Sequence, residues 1–174
     1  MPKKDKKKFI IILAIVILII IIDQGLKIWV FTSGVNIGND NIRIEEVENT
    51  NKSEVNTFTT IVTYLVVIIV ILKFVKEQQE MMGMNVKISL ALILAGGISN
   101  LISIIISGNT MNIIKINVLN LPSFNIATVI LIIGWILFAL FMAINTVNTH
   151  KEIKEIDLKK QRLKDDMIGK KEEK

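Results

Sequence analysis

Cysteine is absent from this sequence and histidine occurs once, as His150. Without thiols there is no disulfide framework, no thiolate nucleophile and no Cys-based metal site, and a lone imidazole cannot form a His cluster. No metal site and no cofactor follow from what remains. Basic residues are equally scarce in two stretches between apolar runs, where only Arg43, Lys52 and Lys115 occur. The net charge of +5 and pI near 9.4 come from lysines elsewhere. Because those lysines flank apolar runs, attraction to anionic lipid accounts for them and no nucleic-acid partner is expected.

Hydrophobic residues make up 51% of the 174 positions, with a mean hydropathy of +0.54. That is too apolar for an ordinary soluble domain of this length. Ile, Val and Leu are gathered in long runs, and the charged 21% lies between the runs and at the two ends. Segregation of this kind marks an integral membrane protein.

About 20 apolar residues cross a hydrocarbon core, and four segments are long enough. The first covers 9–31 and opens with unbroken apolar sequence over 9–22 before Asp23, Gln24 and Lys27. Lys3, Lys4, Lys6, Lys7 and Lys8 ahead of it resemble a signal-peptide n-region, but no small-x-small cleavage site follows, so it reads as an uncleaved anchor. Residues 32–57 are polar, with Gly34, Gly38 and many Asn, and read as a loop with room for short strands. The second span is 58–75, and its short charged connection makes the third, 88–107, an antiparallel neighbour. The fourth, 123–147, follows the turn at Pro122.

The fold class is therefore an all-α membrane protein of four transmembrane helices with a small extracytoplasmic loop region. Residues 1–147 form the membrane domain and 148–174 a charged cytoplasmic tail that can continue the last helix. In that tail Ile153, Ile156, Leu163 and Met167 fall near helical spacing, a pattern commoner in a solvated helix than in a partner site. The N-terminus, the connection holding Lys76 and Lys87, and the tail are rich in lysine, so the positive-inside rule puts both termini in the cytoplasm. The Ile, Lys and Asn bias points to an AT-rich bacterial genome and a multi-pass protein of the bacterial cell membrane.

Ionisable groups inside a bilayer cost several kcal/mol unless paired or hydrated, so in-span polar residues are where function is sought. Asp23 and Lys27 are four apart on one helix face, which allows either a self-neutralising ion pair near Trp29 or a ligand-binding role. Gly96 and Gly97 permit close helix approach, and Asn100 and Asn125 can hydrogen-bond between helices. Packing alone explains all four.

Taken in order, these residues resemble the lipoprotein signal peptidase (signal peptidase II) family. Asp23-Gln24-x-x-Lys27 is similar to its first-helix motif, and Val47-Glu48-Asn49-Thr50 to the start of its loop motif, from which Asn51, Lys52, Ser53 and Glu54 depart. Gly96, Asn100 and Gly108 keep the family spacing in the third span. Phe124-Asn125-Ile126-Ala127, with Gly134, resembles the fourth-helix motif.

The resemblance implies an aspartic endopeptidase that removes signal peptides from lipid-modified prolipoproteins, using one aspartate in each of the last two motifs. At the matching positions this chain has Ser103 and Thr128, Ile104 stands where an arginine is usual, and a Val-Asp-Phe element reads Met111-Asn112-Ile113. An aspartic dyad needs one ionised and one protonated carboxyl sharing a proton, whereas hydroxyls stay protonated near neutral pH. A serine nucleophile would need a base. Lys27, in the first span beside Asp23, is the candidate lysine, and His150 is in the tail.

The expected function is thus a non-catalytic homologue that keeps a groove for a lipidated or hydrophobic segment, with Asn49, Asn100 and Asn125 lining it and membrane lipid, a prolipoprotein or another membrane protein as partner. Two rivals stand beside it: an active peptidase with an unusual centre, and a structural four-helix subunit that binds no peptide.

Overall fold

The computed structural model describes residues 3–47, 57–78, 82–118 and 121–172. Four helices dominate it: α1 (Lys3–Ser33), α2 (Thr57–Gln78), α3 (Met84–Ser107) and α4 (Ile126–Glu172). Each contains a stretch long and apolar enough to cross a membrane. Each sits where the apolar runs predict a span. The charged stretch after residue 147 continues α4 as helix, giving it 47 residues. The chain divides into two compact units, Met1–Leu137 and Phe138–Lys174, of which the second is helix alone up to Glu172.

Lipid is the solvent this surface suits. On α1, Phe9 and Leu18 are each 57% exposed, and on α2 Phe58 is 71% exposed, so many of the large apolar side chains of these helices point outward. In water such surface would drive aggregation; in hydrocarbon it costs nothing, and the helices satisfy their own backbone groups.

The inside belongs to α3. Its buried residues include Val86, Leu90, Ile93, Ala95, Gly96, Ser99, Asn100 and Ser103, covering all sides of the helix. Small residues make this possible. A Cβ at Gly96 would fall on the Ala127 carbonyl oxygen and lie 2.8 Å from Leu131 Cβ, and one at Gly134 would lie 2.8 Å from Ile93 Cγ1. Thus α3 and α4 meet backbone to backbone through a glycine from each, in the small-residue mode of membrane helices. Because the earlier position on one helix meets the later on the other, they run antiparallel. Against α1 the order is the same on both helices, Gln24 with Ser99 and Lys27 with Ser103, so α1 and α3 are parallel.

At the end of the bundle reached by α1 and α3 lies a three-stranded antiparallel sheet of β1 (Ile37–Gly38), β2 (Ile42–Val47) and β3 (Asn112–Ile116), in that spatial order. The loop 32–57 accordingly holds short strands. The loop 108–122 holds one as well, which its Pro and Gly content did not announce. Gly108 ends α3 in a left-handed conformation at φ 76°, its N–H bonded to the Ile104 carbonyl at 2.9 Å, and so turns the chain into β3. The fourth helix starts at Ile126, three residues later than Pro122 alone implies, because Phe124 is still paired with Ile114 in a β-bridge.

Candidate functional site

Polar side chains from α1, α3 and α4 converge just inside the sheet. Lys27 Nζ lies 2.6 Å from Asp23 Oδ2, and both side chains are fully buried. The i,i+4 pair that the sequence allowed is therefore formed. It is also the centre of something larger.

Asp23 spends its two oxygens on three helices. Oδ2 takes Lys27 and the Ser99 hydroxyl at 2.7 Å, while Oδ1 accepts the backbone N–H of Ala127 at 2.9 Å. An N–H in the first turn of α4 has no partner within its own helix, and a carboxylate there also meets the positive end of the helix dipole. Lys27 in turn donates to Ser103 Oγ at 2.9 Å and to Asn100 Oδ1 at 3.4 Å. An ammonium has three protons, and three acceptors receive them.

Asn125 caps the same helix from below. Its Oδ1 accepts the Thr128 N–H at 2.8 Å and the Thr128 hydroxyl at 3.0 Å, which is N-cap geometry. Its Nδ2 donates to Asn100 Oδ1 at 3.0 Å, Met111 O at 3.1 Å and Asn112 Oδ1 at 3.2 Å. Asn112, on β3, donates to the Ser123 carbonyl at 2.9 Å. Asn100 Nδ2 reaches Thr128 Oγ1 at 3.3 Å. Ser103 and Thr128 are thus joined through two intermediaries, Lys27 and Asn100.

Most residues singled out in the sequence are brought together here: Asp23, Gln24, Lys27, Asn100, Ser103, Asn125 and Thr128 belong to one network. Gly96 and Gly108 act beside it, one at the helix contact and one at the cap. Asn100 is 2% exposed and Asn125 fully buried, so their amides face each other inside the protein. Asn49 and the segment 51–54 lie outside the described residues. Ser99 was missed. It takes Gln24 Nε2 at both its carbonyl, 2.8 Å, and its hydroxyl, 2.9 Å, while holding Asp23. Its position one helical turn before Ser103, in an otherwise apolar helix, was the available signal. Every buried side-chain nitrogen and oxygen among the described residues has a hydrogen-bond partner.

Against this layer an apolar cavity of about 210 Å³ opens among α2, α3 and α4, and the Tyr64 side chain in its wall is hydrogen-bonded to Asn100 of the layer. Tyr64, Val67, Ile71, Leu94, Gly97 and Trp135 are among its walls. Gly97 makes part of that space, since a Cβ there would meet nothing within 4 Å.

Four apolar helices closed over a satisfied polar layer, with a small sheet at one end, define a multi-pass membrane protein. Residues 15–144, well over half of the chain, match the family described as signal peptidase (SPase) II, and the chain belongs to that family. Two solved structures share the fold. Both are described as bacterial membrane enzymes determined by the in meso method, one at 2.3 Å and the other at 1.9 Å resolution. The first is 21% identical with a TM-score of 0.66, and the match covers 79% of this chain and 90% of that one. The second is 21% identical with a TM-score of 0.64, covering 75% and 91%. No curated protein sequence matches the chain.

Proposed function

We propose that this protein is a non-catalytic member of the signal peptidase II family, resident in a bacterial cell membrane, that binds a lipidated or hydrophobic peptide segment without cutting it. The observation that carries this reading is the employment of both hydroxyls at the positions similar to the family's aspartates. Ser103 Oγ accepts from Lys27 and from Gln24, at 2.9 and 3.2 Å, and donates to the Ser99 carbonyl at 3.2 Å. Thr128 Oγ1 donates to Asn125 and accepts from Asn100. Neither group is an ionisable acid, and neither has a free base beside it. A water placed here would find no general base.

The groove is supported independently by the apolar cavity. Its 210 Å³ exceeds the roughly 150 Å³ of an engineered apolar cavity that stays dry and takes benzene, and it is walled mainly by aliphatic and aromatic side chains. Aliphatic side chains or a stretch of acyl chain suit it. In this reading Asn100 and Asn125 hold α3 and α4 at the spacing that keeps the cavity open.

One contact favours a second reading, a Ser–Lys hydrolase built from Ser103 and Lys27 at 2.9 Å. A base needs a lone pair, however, and Lys27 directs its three protons at Asp23, Ser103 and Asn100. Purified protein incubated with a lipidated prolipoprotein separates the two: retention of the intact substrate is expected, and cleavage that disappears in Ser103→Ala would establish the hydrolase instead.

A further inference from the structure

The apolar cavity has a direction. A bond from the Thr57 hydroxyl to the Gly108 carbonyl at 3.2 Å sets the start of α2 level with the end of α3, at the sheet end of the bundle. From Tyr64 to Ile71 the α2 wall descends about 10 Å at 1.5 Å per residue, and Gly97 and then Ile93 go down beside it on α3. Walls of this kind bound a slot that runs along the helices, as the acyl chains of a bilayer do. Side chains on a helix lean toward its N-terminus, so the Tyr64 ring carries its hydroxyl to the sheet end of the slot.

The Asn100 amide decides what that hydroxyl can do. Its Oδ1 already accepts from Lys27 and Asn125, one for each lone pair, and one of its two amide protons goes to Thr128 Oγ1 at 3.3 Å. What remains for Tyr64 is the second amide proton, so the phenol oxygen accepts from Asn100 and keeps its own proton to give away. Among the described residues no acceptor receives it. Thr63, the other hydroxyl among the lining residues, gives its proton to the Thr59 carbonyl of its own helix at 2.8 Å. An apolar slot with one such donor at its end suits a ligand with a hydrocarbon tail and an acceptor where the tail stops.

The bilayer reaches this slot directly. Val67 on α2 and Trp135 on α4 both line it and are 42% and 44% exposed, so its opening faces lipid. By mass action, phospholipid at the concentration of a membrane occupies such an opening ahead of any scarce peptide. We propose that the slot holds one acyl chain of a phospholipid from the leaflet on the sheet side, with the ester carbonyl of that chain accepting the Tyr64 proton. The protein then carries a resident lipid against its polar layer, and a lipidated peptide enters the groove by exchanging with it.

Linkage chemistry gives the test, because an ether phospholipid has the same chains and headgroup but no carbonyl. The full-length protein in detergent is titrated with dioleoyl phosphatidylglycerol and with its dialkyl ether counterpart, and bound lipid is counted by native mass spectrometry. One tightly held diacyl lipid is expected, with the ether several-fold weaker; in Tyr64→Phe the two should bind alike, at the ether's level. Gly97→Leu, which fills the slot, should lose the lipid. Equal affinity for ester and ether in the parent would overturn the proposal, as would undiminished binding in Gly97→Leu or an ester preference that survives Tyr64→Phe. Addition of a lipidated peptide to the loaded protein tests peptide binding apart from this: no binding beside an intact ester preference would end the peptide reading and leave the lipid site standing.

Discussion

Asp23 and Ala127 are 104 residues apart in sequence, yet a carboxylate oxygen of the first accepts the backbone N–H of the second at 2.9 Å. The acid on α1 is a cap for α4 as well as the counter-ion of Lys27. Its two tasks predict how the pair responds to change. Lys27→Leu strands a buried charge and should cost about 2–3 kcal/mol unless Asp23 protonates. Adding Asp23→Leu removes that charge but also leaves Ala127 and Ser99 without an acceptor. The double variant should therefore be milder than the sum of the singles and still less stable than the parent. Thermal unfolding of all four proteins in detergent gives the coupling; strict additivity would show that the pair contributes nothing.

The glycines of α3 make neighbouring positions behave oppositely. Gly96→Ala places a methyl group on the Ala127 carbonyl and should destabilise by about 1–3 kcal/mol, as overpacking does. Gly97→Ala meets nothing and should be neutral or gain up to about 1 kcal/mol of helix propensity. Gly97→Leu should leave stability unchanged while filling the cavity, so binding of a lipidated peptide should weaken at an unchanged melting temperature. Unaltered binding in Gly97→Leu would move the groove elsewhere.

Reinstating acids tests whether the scaffold still holds a peptidase geometry. Ser103→Asp with Thr128→Asp should yield weak cleavage of lipidated prolipoprotein, and either change alone none, because a dyad works only as a pair. The activity should stay far below that of an intact dyad. Asp at 103 would face Lys27, which already neutralises Asp23, and Ile104 and Asn112 supply no further support. Equal activity from a single substitution would contradict the dyad argument.

Topology follows from lysine placement. Reporters fused at Lys52 and at Lys160 should lie on opposite sides of the membrane, with Lys160 in the cytoplasm. The same side for both would end the four-span arrangement.

The spans were legible because hydropathy acts over about 20 residues and needs no tertiary information. Which span is central was not. Gly96, Ser99, Asn100 and Ser103 lie on α3 at steps of three and four, a polar and small stripe that in water would be ordinary and in lipid marks an inward face. The i,i+4 spacing of Asp23 and Lys27 announced their bond, but not that Ser99 and Ala127 would share the carboxylate, since those contacts exist only after the helices pack. Strand β3 stayed hidden for a similar reason: Asn112–Ile116 has no strict alternation, and pairing with β2 and Phe124 is what extends it.

The network also has a history written into its sequence separations. When α1 leaves the ribosome, the Asp23 carboxylate has within reach one charged partner, Lys27, four residues on, and the amide of neighbouring Gln24. The Ser99 hydroxyl arrives 76 residues later and the Ala127 amide 104 later, which at roughly 5–20 residues per second is a wait of several seconds. Over that interval the ion pair within α1 is the contact that lowers the cost of holding the Asp23 charge in a bilayer. A chain lacking Lys27 is thus exposed at its birth more than in its finished state, and loss of that residue should show first as failed insertion of α1 in pulse-labelled cells.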